Sequence, residues 1–270
     1  MDTSPFRVTP WRELDLTSRP TEEDGGMSKG ELKKIRKANA EANQELQERL
    51  YAEGERSLLV VFQAMDAGGK DSTIGKVFGP LNPQGVRVWS FKKPTAKELA
   101  HDFLWRIHRR APAKGHIAVF NRSHYEDVLI ARVRELAPPE AIEARYDHIR
   151  HFETLLGAGG TRVVKILLHI SKDYQAERFR RRLERPDKHW KFNPADLAER
   201  ERWDGYQEAF EVALAKTATP EAPWYVVPAE NRRFRDALVS TIVRETLEDM
   251  DPQYPEPAFD PTEYPPESVV

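Results

Sequence analysis

Residues 58–73 read LLVVFQAMDAGGKDST. An apolar run typical of a buried strand ends in a loop of small residues, and this loop ends in Gly69 and Lys70. Glycines let backbone N–H groups approach phosphate oxygens, and a following helix directs its partially positive N-terminus at the same anion. This layout is typical of a phosphate-binding loop between a strand and a helix, in which Lys70 adds a full positive charge.

The loop departs from the common pattern G-x-x-x-x-G-K-[ST] at two positions. Ala64 replaces the first glycine. Asp71 replaces the hydroxyl residue that follows the lysine, and Ser72 and Thr73 come after it. Asp66 lies inside the loop, where its carboxylate repels a polyanion unless a cation such as Mg²⁺ lies between them. The alternative is a glycine-rich turn without a ligand, in which Asp66 is a solvated turn residue.

The overall composition bounds the class of protein. The chain has 270 residues, which suggests one large domain or one domain with appendages, and its net charge is −2. The absence of cysteine excludes disulfides, thiolate zinc sites and cysteine nucleophiles. No apolar run approaches the ~20 residues that span a membrane, and no secretory signal is visible, so we expect a cytoplasmic protein without a membrane partner. Any polyanion must be met by a local basic patch, because the chain is not globally basic.

Apolar runs alternate with helix-like segments along the chain. The apolar runs lie at 58–62, 86–89, 116–120, 163–170 and 224–227. The helix-like segments lie near 70–80, 96–110, 123–134, 139–157, 171–186, 193–217 and 230–250. Near-continuous Val, Ile and Leu runs between helices predict strands that are buried on both faces of a parallel sheet. The prediction is a three-layer α/β/α sandwich with five parallel strands, in which ligands bind beyond the C-terminal strand ends.

The two ends of the chain differ from this central pattern. Residues 1–27 show no clear periodicity and predict an extended or wrapping N-terminal arm. Ser28 and Glu31 form a capping-box pattern that opens a helix, and Gly54 is suited to end it. Residues 28–250 are therefore expected to form the main domain. Residues 251–270 are rich in proline and acidic side chains, which predicts an extended tail that packs on a surface or is disordered.

Residues 121–127, which read NRSHYED, follow the third predicted strand. Asn121 stands where a metal-binding aspartate is expected in a phosphate-loop protein, and Asp127 follows within about two helical turns. Arg122 can clamp a phosphate, because a guanidinium offers paired donors. The alternative is that Arg122 and Asp127 form an ordinary structural ion pair. His124 and Tyr125 are expected to be packing residues.

Basic residues follow two other predicted strands. Lys92 and Lys93 either hold an anionic chain or form a solvated turn. Residues 178–191 carry seven basic and two acidic residues. Helical spacing places four of them on one face: Arg178, Arg181, Arg182 and Arg185. Such a face predicts a lid at about residues 171–200 that neutralises a transferring phosphoryl group, whereas a solvated face or a nucleic-acid patch is the alternative.

Taken together, these motifs resemble the polyphosphate kinase 2 family. The matching segments are MDAGGKD at 65–71, FNRSHYED at 120–127, DKHWKF at 187–192 and APWYVVPA at 222–229, within a resemblance that covers about residues 28–250. The resemblance implies a thymidylate-kinase-like phosphate-loop NTPase fold with a helical lid. It also implies phosphoryl transfer between inorganic polyphosphate and nucleotides, with Mg²⁺ or Mn²⁺ as the cofactor.

The resemblance further implies a role for each matching position. The expected metal ligands are Asp66 and Asp127. The expected catalytic residues are Asp66, Lys70, Arg122, Asp127, Arg178 and Arg182. The expected phosphate- and nucleotide-binding residues are Ala67, Gly68, Gly69, Lys70, Asp71, Ser72, Thr73, Asn121 and Arg122. The expected polyphosphate-binding residues are Lys92, Lys93 and Lys188.

The His-Tyr-Glu-Asp form of the second motif most resembles the class III subgroup, which accepts both AMP and ADP. The expectation is therefore a reversible conversion of AMP to ADP and of ADP to ATP with polyphosphate as donor. The expected partners are polyphosphate, AMP, ADP and ATP but not nucleic acid, and the expected assembly is a homodimer or homotetramer. Two alternatives remain: an ATP-dependent nucleotide kinase of the same fold, and a non-catalytic polyanion-binding module.

Overall fold

A five-stranded parallel sheet with strand order β2-β3-β1-β4-β5 forms the centre of the molecule. The strands are β1 (Ser57–Ala64), β2 (Val86–Ser90), β3 (Ile117–Asn121), β4 (Thr161–His169) and β5 (Trp224–Pro228). The computed structural model describes residues 1–264 and 266. All five predicted strands are present, with limits within two residues of those expected.

The central strands are apolar because both of their faces are covered. Val60 of β1 lies opposite Val119 of β3 and Val164 of β4, and all three side chains are buried. Because β1 lies between β3 and β4, the strands that follow it in sequence lie first on one side of β1, as β2 and β3, and then on the other side, as β4 and β5. The loop that follows β1 therefore lies at the switch point of strand order, where open α/β sheets bind ligands.

Strand β2 differs from the prediction of strands buried on both faces. It pairs with β3 alone, and the Val88 side chain is 48% exposed. The β2 prediction was wrong because a short apolar run does not show whether other elements cover the strand; β5 is also an edge strand, and its five residues are buried. The Arg110 guanidinium covers part of this edge, since it lies 4.0 Å from the centre of the Trp89 ring.

The helices cover both faces of the sheet. They are α1 (Lys29–Glu53), α2 (Lys70–Val77), α3 (Ala96–Leu99), α4 (Trp105–His108), α5 (Ile130–Val133), α6 (Pro139–Ala158), α7 (Lys172–Leu183), α8 (Ala195–Glu201), α9 (Trp203–Thr217) and α10 (Arg232–Met250). Short 3₁₀ turns occur at Ser4–Phe6, Leu16–Ser18, His124–Asp127, Pro186–Lys191 and Pro261–Glu263.

Three segments that were expected to be continuous helices are interrupted. Segment 96–110 divides into α3 and α4, because the Asp102 carboxylate accepts hydrogen bonds from the N–H groups of Leu104 and Trp105 and starts a new turn. Segment 123–134 begins as a 3₁₀ turn before α5, and segment 193–217 divides into α8 and α9 at Arg202. Side-chain capping of this kind is not visible in the apolar pattern of the sequence.

The N-terminal residues pack along the main domain. Ser28 and Glu31 form the predicted capping box at α1, and Gly54 ends that helix in the left-handed conformation. Before it, the Val8 N–H donates to the Trp224 carbonyl of β5 over 2.9 Å, and Leu16 is buried. Residues 265 and 267–270 of the predicted tail lie outside the described residues. Within the described part of the chain, no helix combines the length and hydropathy required to cross a membrane.

Candidate active site

The loop between β1 and α2 is closely packed around its two glycines. Gly69 has φ of +98°, and a Cβ there would lie 2.3 Å from Nη1 of Arg235. A Cβ on Gly68 would lie 2.7 Å from the Cβ of Ala64. The Lys70 ammonium donates to the Ala64 carbonyl over 3.0 Å, so the lysine closes the loop from within. Only glycine fits these two positions, which leaves the backbone at the start of α2 accessible to an anion.

The electrostatic surroundings of Lys70 favour the arrival of negative charge. Burial and the neighbouring positive charge of Arg122 lower the pKa of Lys70 to about 8. The charges of Asp66 and Glu126 oppose this shift. An ammonium that is destabilised by desolvation gains free energy from any anion that comes within contact distance, so a bound phosphate restores its pKa.

Arg122 connects the phosphate loop to the end of β3. Its backbone has φ of +63°, an uncommon conformation for a residue other than glycine, and its N–H donates to the Phe62 carbonyl of β1. Its guanidinium donates to Asp66 over 2.6 Å and lies 3.4 Å from the Glu126 carboxylate, and Glu126 also raises the pKa of Arg122. The alternative in which Arg122 pairs with Asp127 is therefore wrong. This geometry holds the guanidinium beside the loop.

A buried network holds the turn that follows Arg122. Glu153 of α6 accepts a 2.8 Å hydrogen bond from the Tyr125 hydroxyl and pairs with the Lys165 ammonium of β4 over 2.5 Å. The imidazole Nε2 of His124 lies 3.4 Å from the same carboxylate. His124, Tyr125 and Lys165 are fully buried, so the prediction that His124 and Tyr125 are packing residues is confirmed.

The arginine face of α7 lies across a cavity of about 590 Å³ from the loop. All four arginines of the predicted face line it: Arg178, Arg181 and Arg182 on α7, and Arg185 just after the helix, which ends at Leu183 and not at 186 as expected. Arg182 donates to the Lys191 carbonyl over 3.0 Å and lies 3.7 Å from the Asp196 carboxylate. Burial and the charge of Arg232 lower the pKa of Arg178. Cations held this close together repel one another, which favours a polyanionic ligand between them.

Most residues that were singled out in the sequence meet in this phosphate-loop cavity. Those that line it are Asp66, Ala67, Gly68, Gly69, Lys70, Asp71, Ser72, Lys92, Asn121, Arg122, Arg178, Arg182 and Lys188. Thr73 does not, since it is buried and its hydroxyl donates to the Gly69 carbonyl. Lys93 is exposed and lies outside the lining. Asp127 lines a different cavity, although it follows Arg122 by only five positions.

Three charged residues around the phosphate-loop cavity were not singled out from the sequence. Arg232 and Asp196 line it, and Arg235 supports the loop by donating to Ser72 over 3.1 Å. Arg232 and Arg235 follow β5, whose C-terminal end lies at the ligand edge of the sheet. Their position after the end of β5 was the sequence signal that could have identified Arg232 and Arg235. No sequence signal identified Asp196, because it reaches the cavity only through the fold of the segment after α7.

The acidic groups of the cavity suit a metal ion that is shared with substrate phosphates. Among residues 1–264 and 266, no three His, Cys, Asp or Glu side chains are placed to hold a metal together. Asp66 lines the cavity with Asp196, whose pKa is raised by burial and by the charge of Asp66. Mg²⁺ commonly binds one or two carboxylates together with phosphate oxygens and water, so this donor set fits it.

Comparison with known proteins shows which family the chain belongs to. A family model described as Polyphosphate kinase 2 matches residues 26–255. The chain belongs to the polyphosphate kinase 2 family. The family and the α/β fold expected of a phosphate-loop kinase are thus confirmed.

Relatives within this family match most of the chain. A Meiothermus ruber protein named AMP/ADP-polyphosphate phosphotransferase is 55% identical over 214 residues, which cover 79% of this chain and 80% of that protein. A Rhodopseudomonas palustris protein named ADP-polyphosphate phosphotransferase is 44% identical over 267 residues, which cover 94% of this chain and 92% of that protein. The crystal structure of Polyphosphate Kinase 2 from Arthrobacter aurescens matches with a TM-score of 0.91 and 42% identity over 95% of this chain and 92% of that one.

Proposed function

We propose that this protein transfers phosphoryl groups from inorganic polyphosphate to AMP and to ADP, in a reversible reaction that requires Mg²⁺ or Mn²⁺. The observation that carries the proposal is the phosphate-loop cavity, in which the β1–α2 loop faces the arginines of α7. Membership of the polyphosphate kinase 2 family supports polyphosphate as the donor.

Positioning and charge neutralisation account for the catalysis. The backbone at Gly68 and Gly69 and the Lys70 ammonium bind phosphate oxygens on one side of the cavity. Arg122, beside the loop, and the arginines across the cavity bind the transferring group and stabilise the charge that it carries in the transition state. No general base is required, because the attacking nucleotide phosphate is already ionised at neutral pH. The residues gathered in the cavity match this need, since they are mainly cations and backbone donors.

The metal ion supplies charge neutralisation and orients phosphate oxygens when it is bound. Asp66 is the first residue that we assign to it, because its carboxylate lies in the cavity. Asp196 offers a second carboxylate in the same cavity, whereas Asp127 lines another one. This placement favours Asp196 over Asp127 as the partner of Asp66. If Asp66 holds the metal ion, its carboxylate would give up the hydrogen bond that it accepts from Arg122.

The acceptor range follows from the second motif and from the relatives. The Meiothermus ruber protein carries AMP and ADP in its name, and the Rhodopseudomonas palustris protein carries ADP alone. We assign both acceptors to this chain because it shares the higher identity with the former and has the His-Tyr-Glu-Asp motif. By the same resemblance we propose a cytoplasmic homodimer or homotetramer without a nucleic-acid partner.

Nucleotide product analysis tests the proposal. Purified protein, Mg²⁺ and long-chain polyphosphate are incubated with AMP or with ADP, while mixtures of ATP with AMP or with thymidine lack polyphosphate. We expect ADP and then ATP from AMP, and ATP from ADP. Formation of ATP from ADP alone would contradict the assigned acceptor range. Turnover only with ATP as donor would favour an ordinary nucleotide kinase, and absence of turnover in every mixture would favour a polyanion-binding module.

A further inference from the structure

Gln175, near the start of α7, is a buried polar side chain that the functional assignment above does not use. It is 1% exposed, and its amide Nε2 donates to the Asp66 carbonyl of the β1–α2 loop over 2.9 Å, across 109 positions of sequence. Its amide oxygen accepts a hydrogen bond from the Arg200 guanidinium of α8 over 3.2 Å. Both ends of the amide are therefore engaged, which fixes its orientation.

Gln175 reaches the loop from outside the phosphate-loop cavity. It lines a small cavity of about 100 Å³ behind the loop, whereas Asp66 lines both cavities. Ala67 lines the phosphate-loop cavity and not the small one. Any effect of Gln175 on phosphate binding must therefore act through the loop that lies between the two cavities.

The hydrogen bond from Gln175 fixes the peptide that joins Asp66 to Ala67. In a trans peptide the C=O and N–H groups point in opposite directions, so a carbonyl that is bound by Gln175 turns the Ala67 N–H away from it. Within residues 1–264 and 266, this N–H meets no backbone acceptor. It is directed towards the cavity that Ala67 lines, where it is suited to donate to a phosphate oxygen beside Lys70.

The backbone of Ala67 requires support from its surroundings. Its φ of +65° lies in the left-handed region, which disfavours a residue with a Cβ. Such a conformation persists only where neighbouring contacts hold it. Turns that contain left-handed residues, here Ala67 and Gly69, direct backbone N–H groups at anions. The bond to the Asp66 carbonyl is a contact that holds this turn from a distant part of the chain.

Gln175 also connects the loop to the arginines of α7. Gln175, Arg178 and Arg182 are spaced at i, i+3 and i+7, so they share one face of the helix. Both arginines line the phosphate-loop cavity. One face of α7 thus contacts the loop at Gln175 and presents guanidinium groups to the cavity that the same loop borders.

We propose that Gln175 is a positioning residue for phosphoryl transfer. It holds the Asp66–Ala67 peptide in the orientation that binds a phosphate oxygen, and it fixes the arginines of α7 relative to that peptide. The inference rests on the proposed function, because it assigns phosphate binding to the loop. The alternative is that Gln175 only satisfies a buried carbonyl and contributes to stability alone.

The first test replaces Gln175 with methionine, which is unbranched and of similar length but has no amide. We expect the KM for polyphosphate to rise about tenfold or more and kcat to fall, because the loop no longer presents one hydrogen bond to a charged ligand. Glu177→Met is the matched control with wild-type kinetics expected, since Glu177 is exposed on the same helix outside the cavity lining. A role in stability alone would lower the melting temperature of Gln175→Met and leave its KM for polyphosphate unchanged, which would overturn the inference.

Gln175→Glu keeps the inference testable if Gln175→Met does not fold. The carboxylate has the size of the amide and still accepts a hydrogen bond from Arg200, but it has no proton to donate to the Asp66 carbonyl. We expect the KM for polyphosphate to rise about tenfold here as well. Wild-type kinetics in Gln175→Glu would overturn the inference, because they would show that the bond to the loop is dispensable.

A double-mutant cycle with Arg178→Ala tests the connection to the arginines. If Gln175 positions Arg178, then Gln175→Met should lower kcat by a smaller factor in Arg178→Ala than in the wild type, with a difference of about threefold or more. Equal factors in the two backgrounds would overturn the connection between the loop and the arginines of α7.

Titration calorimetry with tripolyphosphate, in the absence of nucleotide, separates this inference from the proposed function. We expect Gln175→Met to bind about tenfold more weakly than the wild type and Glu177→Met. This result would support the positioning role even if no acceptor were phosphorylated. Wild-type affinity and wild-type turnover in Gln175→Met would leave the proposed function standing and overturn the inference.

Discussion

Replacing Gly69 with alanine tests how the phosphate-binding loop is built. The added Cβ would lie 2.3 Å from Nη1 of Arg235, which is 2% exposed and is held by Asp236 and Ser72. The left-handed backbone, with φ of +98°, costs about 1–2 kcal/mol for a residue with a Cβ. Displacing the buried guanidinium from its hydrogen bond costs about 1–3 kcal/mol more. We expect the free energy of unfolding of Gly69→Ala to fall by about 2–5 kcal/mol.

Gly75→Ala is the matched control for this prediction. Gly75 lies within α2, the helix that begins directly after Gly69; it is exposed and has no atom within 4 Å of the added Cβ. Alanine should stabilise the protein there by about 0.5–1 kcal/mol, because glycine disfavours a helix interior. Urea unfolding measures both variants, and the KM for polyphosphate should rise in Gly69→Ala alone. A Gly69→Ala variant as stable as Gly75→Ala would refute the reasoning.

Three further predictions concern charged residues. Because the pKa of Lys70 is about 8, kcat/KM for polyphosphate should fall as pH rises through 8 and the ammonium loses its proton. A pH series measured on Lys70→Arg should lack this fall, since arginine stays charged. Glu153→Leu should lower the free energy of unfolding by about 3–5 kcal/mol, because it leaves the buried Lys165 ammonium without its partner. Adding Lys165→Met should restore most of the lost free energy of unfolding, as measured by urea unfolding. Arg182→Ala should lower kcat about a hundredfold with a smaller change in nucleotide KM in steady-state assays, and an unchanged kcat would remove Arg182 from the site.

The sequence predicts those parts of the fold and site that depend on local patterns. The strand–loop–helix segment around Gly69 and Lys70 is contiguous, and its glycines and lysine each have one physical reason to occur there. The four strands other than β2 carry near-continuous apolar runs because both of their faces are buried. Helical spacing predicts the arginine face, and the structure places its four arginines around one cavity, three of them on α7 and Arg185 just after that helix.

Features that depend on distant parts of the chain could not be predicted in this way. Asp127 faces a different cavity from Arg122, because a 3₁₀ turn held by the buried Glu153 carboxylate determines where each side chain points. Arg235 packs against the loop across 163 positions of sequence from Ser72. Asp196 enters the phosphate-loop cavity from α8, after a change in chain direction that no motif marks.

The rate of ADP formation from AMP and polyphosphate by Asp66→Asn tests most directly whether the phosphate-loop cavity carries the transfer. The amide removes the negative charge through which Asp66 would hold the metal ion, while the Arg122–Glu126 ion pair still keeps the Arg122 guanidinium in place. We expect the rate to fall by at least about a hundredfold, with an unchanged circular dichroism spectrum and retained binding of polyphosphate. An Asp66→Asn variant that works at a rate close to that of the wild type would contradict the placement of phosphoryl transfer in this cavity.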